Sequence, residues 1–292
     1  MLVIDESAIL FALSEPEPRP LTLLECVQPF SHTQPFGDYG RYMSVPPEMF
    51  FGRQLEYQQV FDSFGSCVVY GGRRLGKTAL LKHIEGREHR PKDGVVVTHF
   101  PADDIGAGRQ MRSAKIWSLI ADKMFDVFDR PTPKDAQDFA RRVKLWLDKE
   151  PGRRILLLID EADKFIEEEA SGAGSFTEFR ALQRLMDETN RRFKFVLAGL
   201  HNVTRLVQAE NSPMGQIAAE PQRIGPLLGR DAADGERLVV RSMAKLGWSF
   251  ERREDVWAVL SHINYYPVIL FWTGLCWKSK QQLVGACPCL TF

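Results

Sequence analysis

The sequence predicts an α/β protein, in which helices flank a parallel sheet and a small helical domain follows. Between about residues 60 and 200, short apolar segments alternate with segments whose apolar residues recur at helical spacing. Such alternation is typical of a parallel sheet covered on both faces. After Pro226 helical spacing prevails. We therefore expect an extended, proline-rich lead-in (1–45), the α/β domain (46–226) and a helical domain (227–292).

Four short apolar segments are the predicted strands, and their nearly continuous hydrophobic character is typical of strands buried on both faces. They are residues 66–70, 95–100, 154–160 and 193–199. Helical spacing of apolar residues predicts the other elements, as with Phe139, Val143 and Trp146. The predicted helices are residues 52–64, 78–86, 110–128, 135–148, 176–190, 231–246, 253–262 and 265–277.

The charge and the terminal segments exclude several classes of protein. Lys plus Arg and Asp plus Glu both number 38, so no net field attracts nucleic acid or anionic membrane. Asp5 and Glu6 stand where an export signal has basic residues, and the apolar run 265–277 is too short to cross a bilayer. Five scattered cysteines indicate reduced thiols. We expect a cytoplasmic protein without a membrane segment.

Residues 71–78, GGRRLGKT, match the phosphate-loop pattern G-x-x-x-x-G-K-[ST]. Glycines let backbone amides curl around phosphates, and the helix that follows presents its positive N-terminus. Lys77 is expected to reach the β- and γ-phosphates, and Thr78 to offer its hydroxyl to Mg²⁺. The predicted residues that bind ATP or ADP are Gly71, Gly72, Arg73, Arg74, Leu75, Gly76, Lys77, Thr78 and Ala79.

Asp160 and Glu161 follow the most hydrophobic predicted strand. Ligands of open α/β sheets bind beyond the carboxyl ends of the strands. Asp160 is therefore expected to hold Mg²⁺, and Glu161 to orient and polarise the attacking water. The alternative is an acidic helix N-terminus without chemistry. The acidic pair occurs in the same chain as the phosphate loop. This combination favours a Mg-ATP site in a P-loop nucleoside-triphosphatase fold.

With these two motifs the sequence resembles the STAND branch of the AAA+-like P-loop ATPases, which is related to the origin-recognition ATPases. The resemblance covers about residues 46–275. Residues 50–56, FFGRQLE, resemble the F-x-G-R-x-x-E box, which lies near the adenine in such families. The resemblance therefore implies that Phe51, Gly52 and Arg53 contribute to nucleotide binding.

Two later segments also resemble this branch. Residues 195–205 resemble the sensor strand, where a polar side chain checks the γ-phosphate. The resemblance implies Asn202 in this catalytic role, with His201 and Arg205 as alternatives. Residues 264–267, NYYP, resemble the lid's G-x-P element, which implies that Pro267 packs against the base. The alternative is a helix N-cap at Asn264 with Pro267 in the first turn. The candidate arginine fingers are Arg191, Arg192, Arg205 and Arg223.

Three functions compete. The first is a regulatory ATPase in signalling or defence. Hydrolysis of ATP at Glu161 would move the lid, and the protein would act on a protein partner or associate with itself. The second is a DNA-associated ATPase, disfavoured by zero net charge and by too few residues after 277 for a winged-helix module. The third is a non-hydrolysing interaction module that retains ADP, and a small-molecule kinase is a remote fourth. Since members of the branch continue past the lid, we expect a truncated helical domain here.

Overall fold

The computed structural model describes residues 45, 50–62, 64–105, 113–124, 127–128, 132–171, 176–200, 221–244 and 249–267. The chain divides into two compact units, Gly52–Asp231 on the one hand, and residues up to Phe51 with those from Ala232 on the other. The boundary expected after residue 226 falls shortly before this division. The lead-in before residue 45 lies outside the described residues, as do Asn202, its alternatives His201 and Arg205, and the predicted helix beyond Pro267.

A parallel sheet forms the centre of the unit Gly52–Asp231. Its strands are β1 (Val68–Tyr70), β2 (Val95–Pro101), β3 (Arg154–Asp160), β4 (Phe193–Gly199) and β5 (Gln222–Arg223). Their order across the sheet is β2-β3-β4-β1-β5, and every pairing is parallel. β1 to β4 correspond to the four predicted strands, so the predicted α/β fold class is confirmed.

Helices flank this sheet. They are α1 (Gln54–Phe61), α2 (Lys77–Glu88), α3 (Ser113–Lys123), α4 (Ala136–Leu147), α5 (Asp163–Ser171) and α6 (Thr177–Glu188). Short 3₁₀ turns occupy Pro91–Asp93, Ala102–Ile105 and Gly229–Asp231. Sequence periodicity missed α5, which begins directly after the acidic pair. Its Phe165 and Ile166 are nonetheless buried, so this helix belongs to the core.

Aromatic side chains fill much of the core beside the sheet. The ring of Phe139 on α4 lies 5.1 Å from that of Trp117 on α3 and 5.0 Å from that of Phe128. Every residue of β4 is buried, and so is every residue of β3 after Arg154. Burial on both faces explains why these strands are almost continuously hydrophobic. The buried carboxyl end of β3 therefore gives Asp160 a fixed place.

The second unit contains α7 (Ala232–Ala244) and α8 (Arg253–His262), which pack against each other. Both were predicted as helices. Polar contacts also join the two helices. Glu236 of α7 accepts a hydrogen bond from Trp257 Nε1 of α8 at 2.5 Å and forms an ion pair with Arg253 at 2.9 Å. The guanidinium of Arg241 lies 5.6 Å above the ring of Phe51. Within the described residues, no helix has the length and apolar character that crossing a membrane requires.

Candidate functional site

The phosphate loop, residues 71–78, joins the end of β1 to the start of α2. β1 lies between β4 and β5, so the chain leaves it to cross the sheet to β2 at the far edge. Such a reversal of strand order opens a crevice at the carboxyl ends of the strands, which is where open α/β sheets bind ligands. The topology therefore places the loop at the binding edge of the sheet.

Two glycines are required by the loop for different reasons. Gly76, directly before α2, has a φ of 94°, a left-handed conformation that side-chain-bearing residues rarely adopt. A Cβ on Gly71 would lie 2.3 Å from the carbonyl oxygen of Ile224, just after β5. Gly71 thus permits close approach of the backbone, and Gly76 permits the turn into the helix.

Lys77 bridges the loop from the first turn of α2. Its Nζ donates to the carbonyl oxygens of Gly71 and Gly72, both at 2.9 Å. An ammonium has three N–H groups, so one remains after these two bonds. Burial lowers the pKa of Lys77, while the nearby carboxylates, first among them Asp160, act in the opposite sense. The loop therefore holds this cation within its own curve.

Thr78 and Asp160 meet although 82 residues separate them in the chain. Thr78 Oγ1 donates to Asp160 Oδ2 at 2.5 Å, and the amide of Glu161 donates to Asp160 Oδ1 at 2.9 Å. Burial acts to raise the pKa of Asp160, but the neighbouring imidazole of His99, the Thr78 hydroxyl and the Glu161 amide outweigh it and lower this pKa. Asp160 is therefore an anion at neutral pH.

These oxygen donors fit Mg²⁺, which prefers one or two carboxylates together with waters and substrate phosphates. A hydroxyl and a carboxylate oxygen converge 2.5 Å apart at the binding edge. Among the described residues, no group of three or more His, Cys, Asp or Glu side chains forms a denser metal site. Thr78 and Asp160 would therefore hold the ion only alongside a phosphate-bearing ligand.

His99 on β2 belongs to this site and was missed by the sequence analysis. β2 pairs with β3 in a register that sets Pro101 opposite Asp160. The buried Nε2 of His99 lies 3.6 Å from Asp160 Oδ2 and has no hydrogen-bond partner in the part of the chain that the structure describes. The available signal was a polar residue that interrupts the apolar segment 95–100, but its neighbour across the sheet depends on strand register.

Glu161 stands at the sharp turn between β3 and α5. Its φ of 52° is left-handed, which is uncommon for a residue with a side chain. Asp163, to which no chemistry was assigned, accepts two bonds from the amide of Leu200 at 2.9 and 3.1 Å. Asp163 therefore ties the start of α5 to the residue after β4, and Glu161 lies, partly buried, in a constrained turn.

Arg53 makes its contacts within the protein. Its guanidinium donates to Asp231 Oδ2 at 3.1 Å, to the Leu75 carbonyl of the phosphate loop at 3.4 Å, and to the Gly225 carbonyl. Glu56 Oε1 lies 3.6 Å away and also accepts from Arg230 at 3.0 Å. Arg53 thus binds the phosphate loop through the Leu75 carbonyl. Direct contacts of Phe51, Gly52 and Arg53 with nucleotide remain predictions.

The NYYP segment, residues 264–267, follows α8 and its C-cap Ile263. Asn264 and Tyr265 have φ values of 50° and 58°, and the Tyr265 amide donates to the Leu260 carbonyl at 2.9 Å. This bond is typical of a left-handed helix C-terminus, a place that glycine fills without strain. Asn264 therefore follows the end of α8 in a left-handed conformation. The helix predicted at residues 265–277 is described only as far as Pro267, so an N-cap at Asn264 stays a prediction. Pro267 is partly buried, and its contact with a base remains a prediction.

Two of the candidate arginine fingers lie at the amino end of β4, away from the phosphate loop. Arg192 there donates to the Leu147 carbonyl and to Asp148, both at 2.8 Å. Arg191 and Arg192 line a shallow basic cleft with Arg154 and Lys194, and this cleft is separate from the loop. Arg223, by contrast, lies on β5 opposite Tyr70 of β1 in the strand register, at the binding edge. Arg205 lies outside the described residues, so its role stays a prediction.

No curated protein matches this chain. The ORC2 protein of Aeropyrum pernix is a similar solved structure. Its ADPNP-ADP form gives a TM-score of 0.47 at 19% identity, covering 73% of this chain and 56% of that one. Its ADP form gives 0.44 at 14%, covering 72% and 56%.

This chain thus spans little more than half the length of the ORC2 protein, and the similarity carries no argument about function. The AAA domain family matches residues 62–207, which is half of the chain. The match contains the phosphate loop, the pair Thr78–Asp160 and β1 to β4. The chain therefore belongs to the AAA domain family, whose members carry a P-loop ATPase-type domain.

Proposed function

We propose that this chain binds ATP with Mg²⁺ and hydrolyses it to ADP and phosphate. The observation that carries the proposal is the bond between Thr78 Oγ1 and Asp160 Oδ2, next to a lysine held inside the phosphate loop. This arrangement brings together the groups that P-loop enzymes need: backbone amides and a cation for the phosphates, and a hydroxyl and an acidic side chain for the metal.

Binding follows from the chemistry of the loop. The amides of the turn at Gly76 and the N-terminus of α2 favour an anion, and Lys77 adds a compact positive charge. Thr78 and Asp160 would hold the ion between the loop and the end of β3. Bound Mg²⁺ would neutralise charge on the β- and γ-phosphoryl oxygens. The remaining contributions come from the protein's own side chains.

Hydrolysis requires a base that positions water, and Glu161 is the proposed one. A water oxygen attacks the γ-phosphorus, the bond from that phosphorus to the bridging oxygen breaks, and the water proton passes to the Glu161 carboxylate. The left-handed turn at Glu161 supports this role, since strained backbone is often found at active sites. Asn202, proposed to check the γ-phosphate, would act from the segment after β4.

The cellular role depends on more of the protein than this site. We propose a regulatory switch of the STAND type, in which nucleotide state changes the helical unit and a protein partner or a second copy responds. An origin-recognition-like role is a second candidate, because the same site would serve it. Retention on DNA that falls steeply with salt would favour that second role. A cytosolic setting is part of the proposal, and the buried free thiol of Cys67 agrees with it.

Two substitutions test the proposed chemistry. Lys77→Ala should weaken ATP binding by roughly 10- to 100-fold, since a charge-assisted hydrogen bond contributes about 1.5–3 kcal/mol. Glu161→Gln should retain ATP binding but lower turnover by about 10²–10⁴-fold. Phosphate release and fluorescent-nucleotide titration measure the two effects.

Lys144→Ala is the control, because this exposed lysine on α4 pairs with Glu188, far from the loop in sequence. Its binding and turnover should equal those of the unmodified chain. Equal turnover in the chain and in Glu161→Gln would refute the assigned base. Equal ATP affinity in Lys77→Ala would refute the binding site itself.

A further inference from the structure

The imidazole of His99 is a buried polar group that the proposed mechanism does not use. Its side chain is 7% exposed, and its Nε2 has no hydrogen-bond partner among the described residues. A buried polar nitrogen without a partner costs about 1–3 kcal/mol of stability. Such atoms are uncommon in folded proteins and often mark functional positions. The placement of this ring therefore requires a physical account.

Two backbone features fix where the ring lies. The register of β2 against β3 sets His99 opposite Leu158, two residues before Asp160. The amide of His99 also donates to Glu85 Oε1 on α2 at 2.7 Å. His99 is thus attached both to the strand that carries Asp160 and to the helix that carries Thr78. Its position relative to the acidic group is set by the core of the fold.

The ring nitrogen is directed at one oxygen of the site. Nε2 lies 3.6 Å from Asp160 Oδ2, the oxygen that accepts the Thr78 hydroxyl at 2.5 Å. A hydrogen bond requires about 2.7–3.2 Å between N and O, so a shift of roughly half an ångström would form one. Asp160 Oδ1 is held by the Glu161 amide at 2.9 Å. The carboxylate would then be fixed at both oxygens.

We propose that His99 is a positioning residue of the magnesium site, which orients the Asp160 carboxylate by donating from Nε2 to Oδ2. The inference rests on the proposed function and deepens it. A hydrogen on Nε2 supplies the donor, so the positioning role requires no change in the charge of the ring. Groups that orient metal ligands in this way typically change metal affinity by about 10- to 100-fold when removed. His99 therefore sets how strongly Mg²⁺ enhances nucleotide binding.

The test measures binding of fluorescent ADP while Mg²⁺ is titrated, so it does not depend on turnover. His99→Phe keeps an aromatic ring but removes the donor. Its ADP affinity in EDTA should equal that of the unmodified chain, while its Mg²⁺ midpoint should rise by about 10- to 100-fold. His99→Gln restores an N–H near the same position and should recover most of the Mg²⁺ affinity. His262→Phe, at an exposed histidine of α8, is the control.

A Mg²⁺ midpoint in His99→Phe equal to that of the unmodified chain would overturn the proposal. Equal losses of ADP affinity with and without Mg²⁺ would also overturn it, because they indicate a purely structural role. If thermal melts show that His99→Phe is unfolded, His99→Asn replaces it, since its shorter amide cannot reach Oδ2. Equal Mg²⁺ curves for the Asn and Gln variants would then contradict the proposal.

The proposed function fails in a different way. It fails if the unmodified chain binds ADP with no gain from Mg²⁺, or if Lys77→Ala binds ADP as well as that chain does. Both measurements precede the histidine variants and do not involve them. A Mg²⁺ gain that depends on Lys77 but not on His99 would leave the ATPase proposal standing and remove only the positioning role.

Discussion

Individual residues of the phosphate loop show how one amino-acid type can serve two physical purposes. Gly71 is needed because a side chain would collide with the Ile224 carbonyl, whereas Gly76 has open space around its Cα but a φ of 94°. Lack of space requires glycine at residue 71, and the left-handed backbone conformation requires it at residue 76. Lys77 then adds the two bonds that hold the ends of the loop together. Gly71, Gly76 and Lys77 therefore determine the geometry of the loop.

Alanine in place of Gly76 tests this reasoning at the residue scale. A left-handed conformation costs an alanine about 1–2 kcal/mol, so the loop should change shape and ADP affinity should fall by about tenfold or more. Gly86→Ala on α2 is the matched control, because nothing lies within 4 Å of its added Cβ and its φ is ordinary.

Thermal melts and ADP titration measure both variants. Gly86→Ala should raise stability by about 0.5–1 kcal/mol, since glycine weakens a helix interior by that amount, and should leave binding unchanged. Unchanged ADP affinity in Gly76→Ala would show that the left-handed turn is not required for binding.

At the scale of elements, Arg53 joins segments that are distant in sequence. Its guanidinium reaches the phosphate loop at Leu75, the residue Gly225 after β5, and Asp231 in the 3₁₀ turn. Burial lowers the pKa of Arg53, and Glu56 and Asp231 act against that shift. This ion pair and its hydrogen bonds compensate the cost of burying the charge. Arg53 is therefore a structural hub behind the loop.

Asp231→Asn tests the hub. Breaking a buried ion pair by removing one partner costs about 3–5 kcal/mol, and we expect the lower end because Glu56 remains 3.6 Å from Arg53. The free energy of unfolding in urea measures this loss. Asp234→Asn is the control, because its pair with Arg237 is exposed and contributes less than about 1 kcal/mol. Similar losses in both variants would show that burial of the Arg53 pair adds nothing.

The elements were predictable where periodicity is strong. β1 to β4 could be predicted because strands buried on both faces consist of nearly uninterrupted hydrophobic residues. β5 could not, since its two residues, Gln222 and Arg223, are polar and form a strand only by pairing with β1. α5 was missed because it is short and acidic, so its buried apolar residues Phe165 and Ile166 give little periodic signal.

The candidate site was predictable in its local motifs and not in its long-range contacts. The glycine loop and the acidic pair carry their chemistry in consecutive residues, so Lys77, Thr78 and Asp160 could be named from sequence. His99 could not, because its place beside Asp160 follows from the register between β2 and β3. The contacts of Arg53 likewise depend on Asp231, which lies 178 residues further along the chain.

At the scale of the whole molecule, the chain has two compact units and passes between them twice, at Phe51–Gly52 and at Asp231–Ala232. Asp231 is the last residue of the sheet unit and Ala232 is the first of the helical stretch that follows. The Arg53–Asp231 pair therefore lies at this boundary, within the unit that contains the phosphate loop. A regulatory switch needs a second element whose state responds to nucleotide. The helices α7 and α8 are the proposed candidates, and the AAA family assignment is compatible with this proposal.

The central claim is that the phosphate loop and the end of β3 form one magnesium–nucleotide site. Calorimetric titration of ADP with and without Mg²⁺, on the unmodified chain, Thr78→Ala, Asp160→Asn and the double variant, tests it most directly. Each single variant should lose at least about tenfold of the Mg²⁺ gain, and the double variant should lose little more, because both groups act on one ion. Thr78→Ser, which keeps the hydroxyl, should retain the gain. An unmodified chain without any Mg²⁺ gain, or single losses that simply add in the double variant, would contradict a shared site.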